Sequence, residues 1–258
     1  MKKGLFTISF MLIITITFIA VLAYVNESTL VIIQKNQEIE KYKSILYAFD
    51  IFPSGIAEKD LPATSITADI PWSNPDQIIE TYQQTVTKLR LPIPTELKEP
   101  SATILTGLRD SVDIYIQIGE KQQASAFGFL VNGKGLWGTL EAFGAISADL
   151  KRMVGIDFTS QVETPGLGAR ITETEFKYFF RQLNLEGFNQ QESTRPVLMM
   201  VSKKTETNVQ NSTNSLQAIT GATQTCHGVL DMLNTDLKFY IALIKANQDL
   251  LRSKGFLN

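Results

Sequence analysis

The chain has 258 residues, 44% of them hydrophobic and 19% charged, which is the composition of a globular protein with a packed core and not of a disordered or fibrous one. Its 24 Lys and Arg against 26 Asp and Glu leave a formal charge of -2, so no general basic field exists to hold nucleic acid. One Cys and one His exclude an intramolecular disulfide and a zinc site of the usual Cys and His type.

After Met1-Lys2-Lys3 the chain runs from Gly4 to Val25 without a charge, and about 20 apolar residues are what a bilayer core requires. The segment reads as a transmembrane helix. A cleaved signal peptide would carry a shorter apolar stretch and a small-x-small cleavage site, and Leu22-Ala23-Tyr24-Val25-Asn26-Glu27 is a poor one. Lys2 and Lys3 before the span and Glu27 after it place the N-terminus in the cytoplasm and the rest of the chain on the far side of the membrane. Residues 1–26 are thus a cytoplasmic tip and anchor. Residues 27–50 are read as an extension helix, with Ile39, Tyr42, Ile45, Leu46 and Phe49 forming one apolar stripe.

Seven of the nine prolines lie between Pro53 and Pro100, so residues 51–103 read as a connector of limited regular structure. It holds one helix signal, with Asn74 as N-cap, Pro75 at the first turn, Gln77 following, and Ile78, Ile79, Tyr82, Val86 and Leu89 as the apolar face. From Ser111 the pattern becomes alternating, with Val112, Ile114, Ile116 and Ile118 on one face of a half-buried strand. An antiparallel neighbour spans Ala124 to Val131 and ends at Asn132-Gly133, across the polar Glu120-Lys121-Gln122-Gln123. A third strand is expected over Val197–Val201 after Pro196, and helices over Glu173–Leu183 and from Thr225 towards Leu251. Strands and helices without regular βα alternation predict an α+β domain over 104–258, an antiparallel sheet with flanking helices.

No acid/base machinery emerges from the residues. His227 is the single histidine, beside a helix start where a capping or surface role is the ordinary one, and Cys226 next to it cannot partner it because successive helical side chains diverge. Glu141, Asp149, Asp157 and Glu163 have no spacing that pairs them for metal or glycosidase chemistry, and read as solvated carboxylates. No independent hydrolytic or transferase site is expected. The segment Ile219-Thr220-Gly221-Ala222-Thr223-Gln224-Thr225 says more, since small residues and hydroxyls at a helix start allow backbone N–H groups to approach a phosphate. Taken alone, it fits a common helix cap equally well.

Gly135-Leu136-Trp137-Gly138, Glu163-Thr164-Pro165-Gly166-Leu167-Gly168, Glu175-Phe176 and Thr220-Gly221-Ala222-Thr223-Gln224-Thr225, in this order, resemble the FMN-binding-domain family of respiratory flavoproteins. The match covers about Ser101 to Leu233. With its anchor and long connector, the chain is similar to the C subunits of Na+-translocating NADH:quinone oxidoreductases; the G subunits of Rnf ferredoxin:NAD+ complexes, with shorter connectors, are the alternative.

The resemblance implies FMN bound covalently through its phosphate to Thr223, attached outside the cytoplasm by a separate flavin transferase. It places Thr220, Gly221, Ala222 and Thr225 around the attachment point. It also puts Glu163, Thr164, Leu167 and Gly168 in a loop beside the flavin ring, with Leu167 against a ring face. Trp137 is either a second ring neighbour or a core aromatic. The implied function is electron relay from NADH towards quinone, coupled to Na+ transport, within an inner-membrane complex whose other membrane subunits are the partners.

One departure is Gln217, where the family usually has an Asp six residues before the modified threonine; an amide cannot replace a charge used for recognition or deprotonation. Ala169 stands where a glycine often follows. An FMN-domain protein without covalent flavin, a scaffold that has lost its flavin, and an anchored lipid or glycan enzyme are the other readings.

Overall fold

A computed structural model describes residues 2–52, 66–67, 74–98, 110–119, 122–181, 183–189, 197–201 and 214–257. Glu120-Lys121, Pro196 and most of the Pro-rich connector, Pro53 included, lie outside the described residues. The chain divides into two compact units, Met1–Lys41 and Tyr42–Asn258.

The first unit is helical, the greater part of α1 (Lys2–Ala48). Its 18-residue window of mean hydropathy 2.6 is wholly exposed and is long and apolar enough to cross a membrane. Two threonines inside that apolar run hide their polarity, Thr15 donating to the Met11 carbonyl at 2.9 Å and Thr17 to that of Ile13 at 2.8 Å. A helix in lipid must satisfy its hydroxyls internally in this way.

In the second unit the chain leaves α1 through Ile45, Leu46 and Phe49, all sealed from solvent. Short strands β1 (Ile51–Phe52) and β2 (Ile66–Thr67) pair in parallel. The helix signalled by Asn74 is α2 (Pro75–Thr85), and the Asn74 side chain accepts from the Asp76 N–H at 3.1 Å. This helix is shorter than its apolar stripe implied. Val86 and Leu89 belong instead to β3 (Val86–Pro92), which pairs antiparallel with β4 (Ser111–Ile118). The alternation of Leu89 with Leu91, and pairing along the whole of β4, override the helical spacing.

A meander of β3, β4, β5 (Ala124–Lys134), β6 (Thr139–Ser147) and β7 (Met153–Ser160) forms one five-stranded antiparallel sheet in chain order. The fold class is the α+β arrangement expected. Strand β5 does not stop at Asn132-Gly133 but continues to Lys134, because Gly133 is paired with Leu140 in the ladder and the turn is made by Gly135–Gly138. Strand β4 is more deeply buried than its alternation implied: Tyr115 and Gln117, expected on the open face, are covered by Phe49 and Phe143. The Gln117 amide donates to the Phe49 carbonyl at 3.2 Å.

Over the other face lies α4 (Thr223–Ala246), two residues longer at its start than expected and followed, after Asn247, by a separate turn of helix at Gln248–Ser253. Tyr240 stacks on Phe129 with ring centres 4.1 Å apart, and its hydroxyl donates to the Leu130 carbonyl at 3.0 Å. The buried Asp236 carboxylate accepts from the Asn132 N–H at 2.9 Å. These contacts fix the helix in register on β5 and so fix where its N-terminus emerges. Among the described residues of the helix expected over Glu173–Leu183, only α3 (Thr174–Tyr178) is α-helical. Beyond it, Phe179, Phe180 and Arg181 each bond three residues back, a tightening that turns Phe176 and Phe180 together onto Phe158. The third expected strand is β8 (Met199–Val201), paired in parallel with β9 (Ser215–Gln217).

Candidate functional site

Three turns meet where α4 begins. The first, Gly135–Gly138, closes the β5–β6 hairpin with the Gly135 N–H donating to the Gly138 carbonyl at 2.7 Å. The second follows β7: the Leu167 and Ala169 N–H groups both donate to the Thr164 carbonyl at 3.1 Å, around a left-handed Gly166. The third enters α4, with the Ala222 N–H bonded to the Ile219 carbonyl at 3.0 Å across Gly221 at φ 81°. Only a residue free of a Cβ takes that value easily at the third place of such a turn. A Cβ on Gly221 would also stand 3.0 Å from a Leu167 methyl carbon, so the glycine keeps a cradle open.

The cleft between these turns has a volume of about 210 Å3 and is lined by Leu136, Glu163, Thr164, Leu167, Gly168 and residues 221–225. Of the residues singled out in the sequence, Glu163, Thr164, Leu167, Gly168, Gly221, Ala222, Thr223 and Thr225 share this one cleft. Leu136 and Gln224 line it as well, and their neighbours in the two glycine-bearing motifs were the signal that could have found them. Trp137 stands beside it, exposed, donating its indole N–H to the Thr164 hydroxyl at 3.1 Å, which makes it a surface aromatic and not a core one. Thr220 and Gln217 sit apart, on a smaller cleft with Arg170, Glu173 and Phe176.

Glu163 corrects the expectation of a solvated carboxylate. It is 5% exposed, and takes the Thr225 hydroxyl at 2.5 Å on Oε2 and the Trp137 N–H at 2.9 Å on Oε1. Burial pushes its carboxyl up, but the Thr225 hydroxyl and the N–H groups of Trp137, Leu136 and Gly138 outweigh it and hold the group below its ordinary range. It is therefore an anion at neutral pH. Asp157 is likewise not a free surface group, since Lys177 meets it at 2.7 Å.

Thr223 is the first residue of α4 and is exposed. The N-cap position is Ala222, which offers no side-chain hydrogen bond, so the first turn of the helix presents its N–H groups uncapped by a side chain. That is the polarity a phosphate needs. Cys226 is buried behind the turn, its Sγ accepting the Ile219 N–H at 3.3 Å, and burial raises its thiol above the ordinary value. His227 lies exposed in the same first turn.

The family model described as the FMN-binding domain matches residues 135–238, from the first of these turns to the middle of α4. The chain is 28% identical over 179 residues to the C subunit of the Na(+)-translocating NADH-quinone reductase of Chlamydia pneumoniae, an alignment covering 66% of this chain and 55% of that one. To the C subunit of the same reductase in Yersinia pestis it is 30% identical over 123 residues, 48% of this chain and 44% of that one. The alignments thus span about half the length of the curated relatives.

Among solved structures, the C subunit of the Parabacteroides distasonis reductase matches with a TM-score of 0.56 and 19% identity over 82% of this chain and 94% of that one. NqrC of Shewanella oneidensis gives a TM-score of 0.56 and 17% identity over 81% and 98%. These likenesses establish the fold, an antiparallel sheet with flanking helices. The residues around the cleft fit the group that names the FMN-binding domain: an open cradle at Gly221, a helix start with its N–H groups free of side-chain caps, and an exposed hydroxyl at its rim.

Proposed function

We propose that the chain is the electron-carrying flavoprotein subunit of a membrane respiratory complex, passing electrons from NADH towards quinone in a reaction coupled to Na+ transport. The observation that carries this is the position of Thr223, an exposed hydroxyl on an uncapped helix start, at the rim of a cleft to which every motif segment but Glu175-Phe176 and Thr220 contributes. FMN is held through its phosphate by Thr223, with the N–H groups of the first turn of α4 turned towards the negative charge. A flavin transferase makes the bond with FAD as donor: the Thr223 Oγ–P bond replaces the P–O bond to AMP, and the hydroxyl loses its proton. When bound, FMN supplies a carrier of one or two electrons, and the protein's part is to fix its place and tune its environment. Leu136 and Leu167 supply apolar walls, Thr164 and Thr225 the polar groups, and Trp137 a flat neighbour. Residues 4–25 anchor the chain with its N-terminus in the cytoplasm, which puts the flavin on the extracytoplasmic side, against other membrane subunits of the complex.

The test is the intact mass of the full chain made with and without the transferase, followed by fluorescence of the denatured protein in a gel. A gain of one FMN less one water, mapped to the peptide containing Thr223, is the expected result. An unmodified chain that takes up added FMN reversibly would favour the second reading, a non-covalent flavoprotein, for which Gln217 in place of the family's Asp is the specific observation.

A further inference from the structure

Glu163 spends its acceptor capacity on the protein itself. The Thr225 hydroxyl and the Trp137 N–H are bonded to its two oxygens, and the N–H groups of Leu136 and Gly138 face the same carboxylate. Four donors from two elements far apart in sequence thus converge on one buried anion, where charge-assisted hydrogen bonds are strongest.

Two glycines flank the carboxylate for a steric reason. A Cβ on Gly168 would lie 2.5 Å from the Thr225 hydroxyl oxygen and 2.8 Å from Glu163 Oε2, and one on Gly135 would run into Glu163 Oε1. The backbone therefore closes on the carboxylate from both sides.

The Thr225 hydroxyl has a single proton, and that proton is committed to Glu163. Thr225 is 1% exposed, so this bond is made within the wall of the cleft, out of water.

We propose that Glu163 is a positioning residue: its carboxylate clamps the Gly135–Gly138 turn to the first turn of α4, setting Leu136 and Trp137 at the cleft. The clamp does not rest on the flavin reading.

The test uses the full chain in detergent, made without flavin transferase and carrying Trp72→Phe, so that Trp137 is the single indole. Trp137 emission, its quenching by acrylamide and the dissociation constant for added FMN are read in Glu163→Gln, Thr225→Val, the double variant and Thr225→Ser.

Glu163→Gln turns an acceptor into a donor in front of donors. It is expected to release Trp137, raising its quenching, and to weaken FMN about tenfold, as loss of a charge-assisted hydrogen bond would. Thr225→Val should do the same, the double variant no more than either single change, and Thr225→Ser should restore both readouts.

Unchanged Trp137 quenching in Glu163→Gln, or effects that add in the double variant, would overturn the clamp. Should Glu163→Gln not fold, the contrast between Thr225→Val and Thr225→Ser decides the matter. If Trp137 responds as described while wild-type chain neither binds added FMN nor gains the mass of FMN with the transferase, the clamp stands and the flavin reading falls.

Discussion

Phe129 and Glu163 are both nearly sealed from solvent, at 0% and 5% exposure, yet their surroundings differ in kind. Phe129 is held by other rings and aliphatic chains between β5 and α4, where contact is non-directional and energy follows buried area. Glu163 is held by hydroxyl and backbone donors, whose energy depends on direction and is lost when one partner moves. The sheet under α4 thus provides stability, and the turns at the start of α4 provide placement. A substitution in the first region should cost free energy with little specific signature, whereas one in the second should cost little free energy and much function.

The largest effect on this scale belongs to Phe129→Ala. Removing a fully buried ring that stacks on Tyr240 should destabilise the second unit by about 3–5 kcal/mol, measured by urea unfolding of the chain in detergent. Flavin binding should disappear only as the fold does. Loss of FMN at urea concentrations where Phe129→Ala is still folded would break the separation between the two regions.

Gly228→Ala probes the border between them. In an exposed helix the change would stabilise by about 1 kcal/mol through propensity. Here a Cβ would meet the Lys134 carbonyl oxygen, a backbone atom at the end of β5 that cannot swing aside. The sign should therefore reverse, to a loss of about 1–3 kcal/mol. The first turn of α4 would be pushed off the Gly135–Gly138 turn, so unfolding and Trp137 quenching should change together.

Of the five strands in the main sheet, β4 and β5 could be read from the chain and β3, β6 and β7 could not. Strands β4 and β5 carry alternation or a continuous apolar run, but β6 is written with Ala142, Gly144 and Ala145, small residues without strand preference that let Phe143 reach Phe49 and Tyr115. Strand β3 was hidden because Val86 and Leu89 also continue the helical spacing of α2. At the cleft, the glycines and hydroxyls marked the three turns well. What they could not convey is the state of Glu163, since a carboxylate ahead of Thr-Pro-Gly reads as a solvated loop residue until the fold brings Thr225 to it from 62 positions away.

On β4, beside the edge strand β3, Asp113 gives a smaller effect and a control. A hydrogen bond from Arg90, aided by Lys88 against a modest cost of burial, lowers its carboxyl to about 2. A depressed folded value means that the stabilisation is present above the ordinary carboxylate range and is lost as pH falls through about 2. With the group partly in water, about 1 kcal/mol or less is expected. The check is the difference in urea midpoint between wild type and Asp113→Asn, which should narrow from pH 5 to pH 2.5 and again at 0.5 M salt, taken as a roughly threefold shorter screening length than at low salt. FMN binding should be unchanged in the variant, because Asp113 lies on β4, away from the turns that line the cleft.

Thr223→Ala should have the smallest effect on stability and a complete effect on covalent flavin. Thr223 is exposed and makes no capping bond, and alanine is at least as good a helix former, so the urea midpoint should move by no more than about 0.5 kcal/mol in either direction. The intact mass after exposure to the transferase should nevertheless stay at that of the bare chain, with no fluorescence in the denatured band. The cleft walls at Leu136, Glu163, Leu167 and Thr225 are untouched by the change, so reversible binding of added FMN should persist at reduced affinity. That combination separates attachment from recognition: a Thr223→Ala chain that still carried flavin through denaturation would move the bond to another hydroxyl. Thr225, two residues on, is buried and donates to Glu163, and Thr220, three residues back, faces the smaller cleft with Gln217 and Arg170 and would have to turn away from them to serve.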